Sequence, residues 1–530
     1  MAFDLIIKNG SIIDGSGRKS FLGDIGIVRD KITAIGKLSL ENTKHHIDAN
    51  GLTVSPGFID THTHSEGDLL INPKHEYGIQ QGITTELIGI DGMSIAPLSH
   101  KNYLIYRKWL SGLLGQPPKD IDTSSIKAFL SNYHKKVAVN TAYLIPLGAI
   151  RLELVGFNDV PLNKDQINKA KKIISNGFAD GAIGFSTGSA YYPGIWSTTS
   201  EILELCSTVQ NENSIYMVEP RSSLLERAFG NNGVTEALHI ARKTNVSIHF
   251  AHHRTTEETA GNPSEIMTEI DKAKEEGVDI SLDIYPYPSG STIPISFLPS
   301  DVQNGGPDSI LKKLKNKQEK QKIVEYLDNS YASNTRPLSE VSFSYVPNNP
   351  HLEGESLMNL ANKSKKSFGE ILTDILLEEE LEVGYVMLPP NNPKTCNLIS
   401  EDSIKLLSRD DYMVCSDITA AGSMSHPRSF GAFPRFLGRL RREFNLISLE
   451  SMIHKMTGFP AERFQLPKRG KIQEGFFADI VIFNPDSIID TATYDSPRQF
   501  PIGIDHVIVN GTIALKNGKS TGSISGYAIT

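Results

Sequence analysis

Between Thr84 and Ile284 the chain alternates short apolar, β-branched runs with longer amphipathic ones, and this alternation restricts the fold more than any other feature. Thr84–Ile90, Ile183–Ser186, Ser214–Glu219, Val246–Ala251 and Val278–Ile284 read as strands. Leu162–Ser175, Ser200–Glu212, Gly233–Lys243 and Pro263–Glu276 read as helices. A helix between two strands carries the chain back across the sheet, so successive strands lie parallel. Repeated this often, the pattern predicts an α/β fold whose sheet closes into a (β/α)8 barrel. The two ends of the chain read differently. Asp4–Gly10 near the start, and Ala478–Phe483 and His506–Gly511 near the end, are β-branched segments, two of them closed by Asn-Gly turns. They predict a small β-sandwich built from both termini. The expected division assigns residues 1–55 and 466–530 to the sandwich and 56–465 to the barrel, with an insertion at about 290–400 where the alternation fails. Within that insertion the lysine-rich run LKKLKNKQEKQK predicts an exposed helix.

Barrel enzymes carry their chemistry at the C-terminal ends of the strands, and here those ends are rich in metal-competent side chains. Pro56-Gly57-Phe58-Ile59-Asp60-Thr61-His62-Thr63-His64 ends an apolar run with His-x-His, and residues i and i+2 of a strand share a face, so His62 and His64 present two imidazoles to one point. Asp91 follows Ile90, Glu219 follows Val218, His252 and His253 follow Ala251, and Asp417 follows Ser416. Adjacent strand residues face opposite ways, so one of His252 and His253 turns inward; His252 is the expected ligand. The net charge of -8 and the absence of a Lys/Arg block exclude nucleic acid as a partner. No apolar run is long enough for a bilayer, so no membrane partner is expected. The start lacks the basic and apolar regions of a signal peptide. Cys206, Cys396 and Cys415 are too scattered for a Cys-x-x-Cys site or a disulfide framework, and a cytoplasmic location is expected. The sequence does not specify an oligomeric state.

The segments PGFIDTHTH, GITTELIGIDGMSIAP, GAIGFSTGSAYYPG, YMVEPRS, HFAHHR, DIYPYPSGST, SHPRSFGAFPRFLGR and RGKIQEGFFADIVIF occur in an order and spacing that resembles the amidohydrolase superfamily and, within it, the N-acyl-D-amino-acid deacylase (D-aminoacylase) family. The resemblance implies a metal-dependent barrel that hydrolyses the amide bond of a small-molecule N-acyl-D-amino acid. It makes His62, His64 and His252 metal ligands and Asp417 the catalytic aspartate. It makes Arg428 and Tyr285 the groups that hold the substrate carboxylate, and sets Arg254 where a family lysine contacts substrate. The pattern breaks twice. Asp91 stands where the family has a cysteine ligand, and Glu219 where it has a histidine ligand. Both replacements are carboxylates and remain competent to bind zinc. Zinc, as one or two ions, is the expected cofactor, and the oxygen-rich set also admits Mn2+ or Fe2+. A turn residue at Asp91 and an ion pair of Glu219 with Arg221 or Arg254 are the structural alternatives. Three functions stay open: the deacylase, another amidohydrolase acting on a cyclic amide, dipeptide or lactam, and a non-catalytic carboxylate-binding descendant. The segment Gly184–Gly188 with Ala190–Pro193 reads as pocket wall, and the basic run after Phe433 as a solvated helix face.

Overall fold

The structure, a computed structural model, describes residues 2–331, 337–419 and 421–530. Eight parallel strands form the barrel: β1 (Phe58–Asp60), β2 (Ile83–Ile88), β3 (Asn140–Pro146), β4 (Gly184–Thr187), β5 (Ile215–Val218), β6 (Ser247–Phe250), β7 (Ile280–Ile284) and β8 (Tyr412–Val414). Each pairs with the next in chain order. The ring closes just beyond β8 and β1, where Thr63 and Ile418 form a parallel bridge. The His64 N–H donates to the Ile418 carbonyl at 3.0 Å and the Asp417 N–H to the His62 carbonyl at 2.9 Å. Closure therefore sets Asp417 beside the His-x-His motif, although the two lie far apart in sequence.

The crossover helices begin where polar side chains cap them. Asn163 accepts from the Gln166 N–H and Gln166 reaches back, so that helix starts at Lys164 and runs to Ala179. Thr198 and Glu201 make the same reciprocal cap for Thr199–Asn211. Both helices place an apolar stripe on the barrel, Ala170 and Ile174 in one and Ile202, Leu205 and Val209 in the other.

The two ends of the chain share one nine-stranded sheet. Thr53–Pro56 is the seam: it pairs parallel with Phe3–Ile12 and antiparallel with Ile480–Phe483. Leu5, Ile7, Ile25, Ile27, Ile480 and Ile508 pack into a core separate from that of the barrel.

The insertion contains a three-stranded antiparallel sheet of Ser291–Thr292, Val341–Tyr345 and Gly384–Met387. The single exposed helix expected there is two helices, Gly306–Lys315 and Lys317–Ser330. Asn316 breaks them, because its side chain caps the second by accepting from the N–H groups of Gln318 and Glu319. Each helix buries one stripe, Ile310, Leu311 and Leu314 in the first and Ile323, Val324 and Leu327 in the second. The basic run after Phe433 also differs from expectation. Phe433, Phe436 and Leu437 are buried. Arg435 and Arg439 pair with Asp490 at 3.0 and 2.7 Å, tying the helix to the C-terminal segment instead of to solvent. Among the described residues no helix is long and apolar enough to cross a membrane.

Candidate metal centre and active site

The strand ends bring the five predicted ligands and the predicted catalytic Asp417 into one buried pocket. Three groups of donors have ligand atoms within 4.8 Å of one another: His62, His64 and Asp91; Asp91, Glu219 and His252; and His62, His252 and Asp417. Asp91 Oδ2 lies 3.1 Å from His62 Nε2, 3.4 Å from His64 Nε2 and 3.9 Å from His252 Nε2. Asp417 Oδ1 is 3.7 Å from His62 and 3.5 Å from His64. Glu219 Oε1 is 3.8 Å from His252, while its Oε2 accepts the Ser189 N–H at 3.0 Å. Of the two arginines considered as ion-pair partners of Glu219, Arg221 is bound to Glu236 at 2.9 Å and Arg254 to the Tyr285 hydroxyl at 2.7 Å. Of the two adjacent histidines, His252 faces the pocket, and His253 turns away to the Ile266 carbonyl at 3.1 Å.

The electrostatics show that the donor set fits a cation. Burial alone would strip His62 of its proton, yet Asp91 and Asp417 overcome it and push the imidazole up to about 10. Burial would likewise raise the Asp91 carboxyl, but His62 and His64 hold it well below the ordinary range. The two carboxylates thus favour a positive charge in the pocket, whether a proton or a metal ion in its place. Asp91 Oδ1 has no hydrogen-bond partner among the described residues, a buried carboxylate oxygen free for ligation. Burial takes His252 down to about 4, which keeps its ring in the neutral, ligating form.

Three of these residues occupy the left-handed backbone region: Asp91 at φ 54°, His252 at φ 29° and Asp417 at φ 54°. Such residues cost on the order of 1–3 kcal/mol each and persist where their surroundings over-determine them. For His252 the determinant is Asp283, which sequence reasoning missed. Asp283 Oδ1 accepts the His252 N–H at 2.5 Å, and Oδ2 accepts from the Thr61 hydroxyl and His249 Nε2, both at 3.0 Å. Burial would raise this carboxyl, but bonding to His249 brings it down to about 2. The available signal was the one acid in strand β7, two residues before Tyr285 and so on the same face. Asp283→Asn swaps one acceptor oxygen for a donor facing two other donors. It is expected to weaken metal affinity about 10- to 100-fold with the fold intact, as read by chelator competition and circular dichroism.

The predicted carboxylate-binding residues line the same cavity of about 240 Å³. Two guanidinium groups lie over the Tyr285 ring, Arg254 at 4.6 Å and Arg428 at 4.8 Å from its centroid. Arg254 Nη2 donates to the Tyr285 hydroxyl at 2.7 Å. Arg428 is 1% exposed. Its Nη2 donates to the Ser291 carbonyl at 3.1 Å and its Nη1 lies 2.6 Å from Asp417 Oδ2. That ion pair lacks hydrogen-bond geometry, so Nε and Nη1 have no hydrogen-bond partner among the described residues. Tyr191, from the segment read as pocket wall, also lines the cavity. A larger cavity of about 910 Å³, beside His75, Phe430 and Phe500, contains none of these residues.

Known proteins resemble this chain in sequence and fold. The amidohydrolase family profile matches residues 377–515. D-aminoacylase of Alcaligenes xylosoxydans xylosoxydans is 30% identical over 538 residues, 99% of this chain and 97% of that one. A solved D-aminoacylase, described as having a binuclear metal centre with one-metal activation and second-metal attenuation, superposes with a TM-score of 0.79 at 27% identity over 100% of both chains. N-acyl-D-glutamate deacylase of Bordetella bronchiseptica, solved with zinc and a phosphonate mimic of the tetrahedral intermediate, gives 0.80 at 26% identity over 100% of both. At 30% identity over 99% of its length to D-aminoacylase, this chain belongs to the D-aminoacylase family of the amidohydrolase superfamily.

Proposed function

We propose that this protein is a metal-dependent hydrolase that cleaves the amide bond of N-acyl-D-amino acids, releasing a carboxylic acid and a D-amino acid. The observation that carries this reading is the convergence of six nitrogen and oxygen donors with the buried Arg428, 2.6 Å from Asp417, in one cavity. His62, His64, Asp91, Glu219 and His252 would hold the cofactor, with Asp91 common to two of the donor groups. Zinc suits the three imidazoles, and the carboxylates also admit Mn2+ or Fe2+. A divalent ion held there supplies Lewis acidity, lowering the pKa of a water toward about 7 and polarising a carbonyl. The remaining tasks belong to side chains. Arg428 and Tyr285, with Arg254 beside them, anchor the α-carboxylate and orient the scissile amide, a planar guanidinium being suited to bidentate recognition. Asp417 accepts the proton of the attacking water and returns it to the departing nitrogen, which is too basic to leave as an anion. Residues 56–465 form the catalytic unit in this reading, and a cytoplasmic setting suits the three free cysteines.

The test is hydrolysis of N-acetyl-D- and N-acetyl-L-methionine by protein loaded with zinc or with manganese, followed by amine release. Cleavage of the D-enantiomer with the L-enantiomer spared is expected. Cleavage of neither, or of the L-form alone, rejects the proposal.

A further inference from the structure

The cavity that reaches the metal centre holds two acids that the centre does not use. Glu257 enters from the loop after β6, and Glu340 from the insertion, where its carbonyl accepts the Leu388 N–H at 2.8 Å. Met387, Leu388 and Pro390 complete that wall. Neither glutamate belongs to a donor group of the centre. Among the described residues, neither forms an ion pair. The two cavity arginines are engaged elsewhere: Arg254 directs its donors to the Tyr285 hydroxyl and the Thr255 and Pro288 carbonyls, and Arg428 lies against Asp417. Burial raises the Glu340 carboxyl and Glu257 raises it further, so the two charges repel each other. An independent observation shows that the same cavity is built for a charged ligand. Arg428 is almost wholly buried, lines the cavity and has no hydrogen-bond partner for Nε among the described residues. Its Nη1 already faces the Asp417 carboxylate at 2.6 Å, which leaves Nε as the buried donor open to a ligand acceptor.

We propose that the preferred substrates are N-acyl-D-amino acids that carry an ammonium or guanidinium group as well as the α-carboxylate, the cation being read by Glu257 and Glu340. This rests on the deacylase reading, which places the α-carboxylate at Arg428. The cation belongs to the side chain, as in a lysine or arginine derivative, or to the acyl group, as in an aminoacyl substituent. In either case it relieves the mutual repulsion of the two glutamates and supplies a countercharge that they lack among the described residues.

Two pairs of compounds differing by one ammonium group test it on the full-length, metal-loaded protein. N-acetyl-D-lysine against N-acetyl-D-norleucine places the charge on the side chain, and glycyl-D-norleucine against N-acetyl-D-norleucine places it on the acyl group. The cationic member of one pair is expected to show about tenfold higher kcat/KM, mainly through KM, since charge pairs open to solvent are individually weak. The pair that shows it identifies where the cation sits. The advantage should fall toward one in Glu257→Gln and Glu340→Gln and invert in Glu340→Lys. Preference for the neutral member in both pairs, or a ratio unmoved by all three substitutions, overturns the proposal. Hydrolysis of none of the three compounds overturns the deacylase reading and this one with it.

Discussion

Asp417→Asn is expected to keep its metal and lose turnover by a factor on the order of 10³, within the range attributed to a positioned proton carrier. The amide has nearly the shape of the carboxylate, and the hydrogen bond from the Asp417 N–H to the His62 carbonyl does not depend on the side chain. Five other donors remain for the ion. What disappears is the ability to take a proton from water and return it to nitrogen. The contact with Arg428 at 2.6 Å also changes from ion pair to ion–dipole, so KM is expected to move less than kcat. Metal content by inductively coupled plasma mass spectrometry, measured beside steady-state rates, separates the two roles. Turnover close to that of the unaltered protein would sink Asp417 as the proton carrier. Loss of metal together with activity would make it chiefly a ligand.

The second large effect is expected at Asp91. Wild-type protein should contain at least one equivalent of divalent metal, and Asp91→Ala should weaken its retention by more than about a hundredfold, beyond what removal of an outer partner costs. Asp91 takes part in two donor groups, with His62 and His64 and with Glu219 and His252, whereas Glu219 takes part in one. Loss of metal should therefore be greater in Asp91→Ala than in Glu219→Ala. The comparison also bears on the two carboxylates that stand in place of a cysteine and a histidine. If they retune the site, it binds Mn2+ or Fe2+ more readily than a thiolate site would. If they are relics of a lost one, wild-type protein binds no metal even after incubation with zinc or manganese, and the two variants match it.

The candidate centre was legible in the sequence because its residues all lie at strand ends, a position set by local periodicity. His62, His64, Asp91, Glu219, His252 and Asp417 were each named from the run that precedes them, and the structure brings all six together. Asp283 escaped because it lies within a strand and its role depends on where His249, Thr61 and His252 arrive in space. The insertion escaped for a related reason. Its three strands pair antiparallel across long separations, and its helices bury short stripes against each other, so no repeating unit announces them.

By itself the sequence determined the class of fold, since alternating periods of 3.6 and 2 residues imply a parallel α/β sheet and the number of repeats favours a closed barrel over an open one, and it determined the chemistry of the donor set. The tertiary structure decided how that set works. Closure of the ring between Thr63 and Ile418 placed Asp417 against His62 and His64. Asp283 fixed His252, rather than His253, toward the pocket by holding its N–H in a left-handed backbone. Packing of the insertion over the strand ends placed Glu340 in the wall of the same cavity as Arg428. Each of these is a contact between segments distant in the chain. Local patterning specifies which elements form and which face each side chain takes, but the distance between two such side chains exists only once the ring has closed.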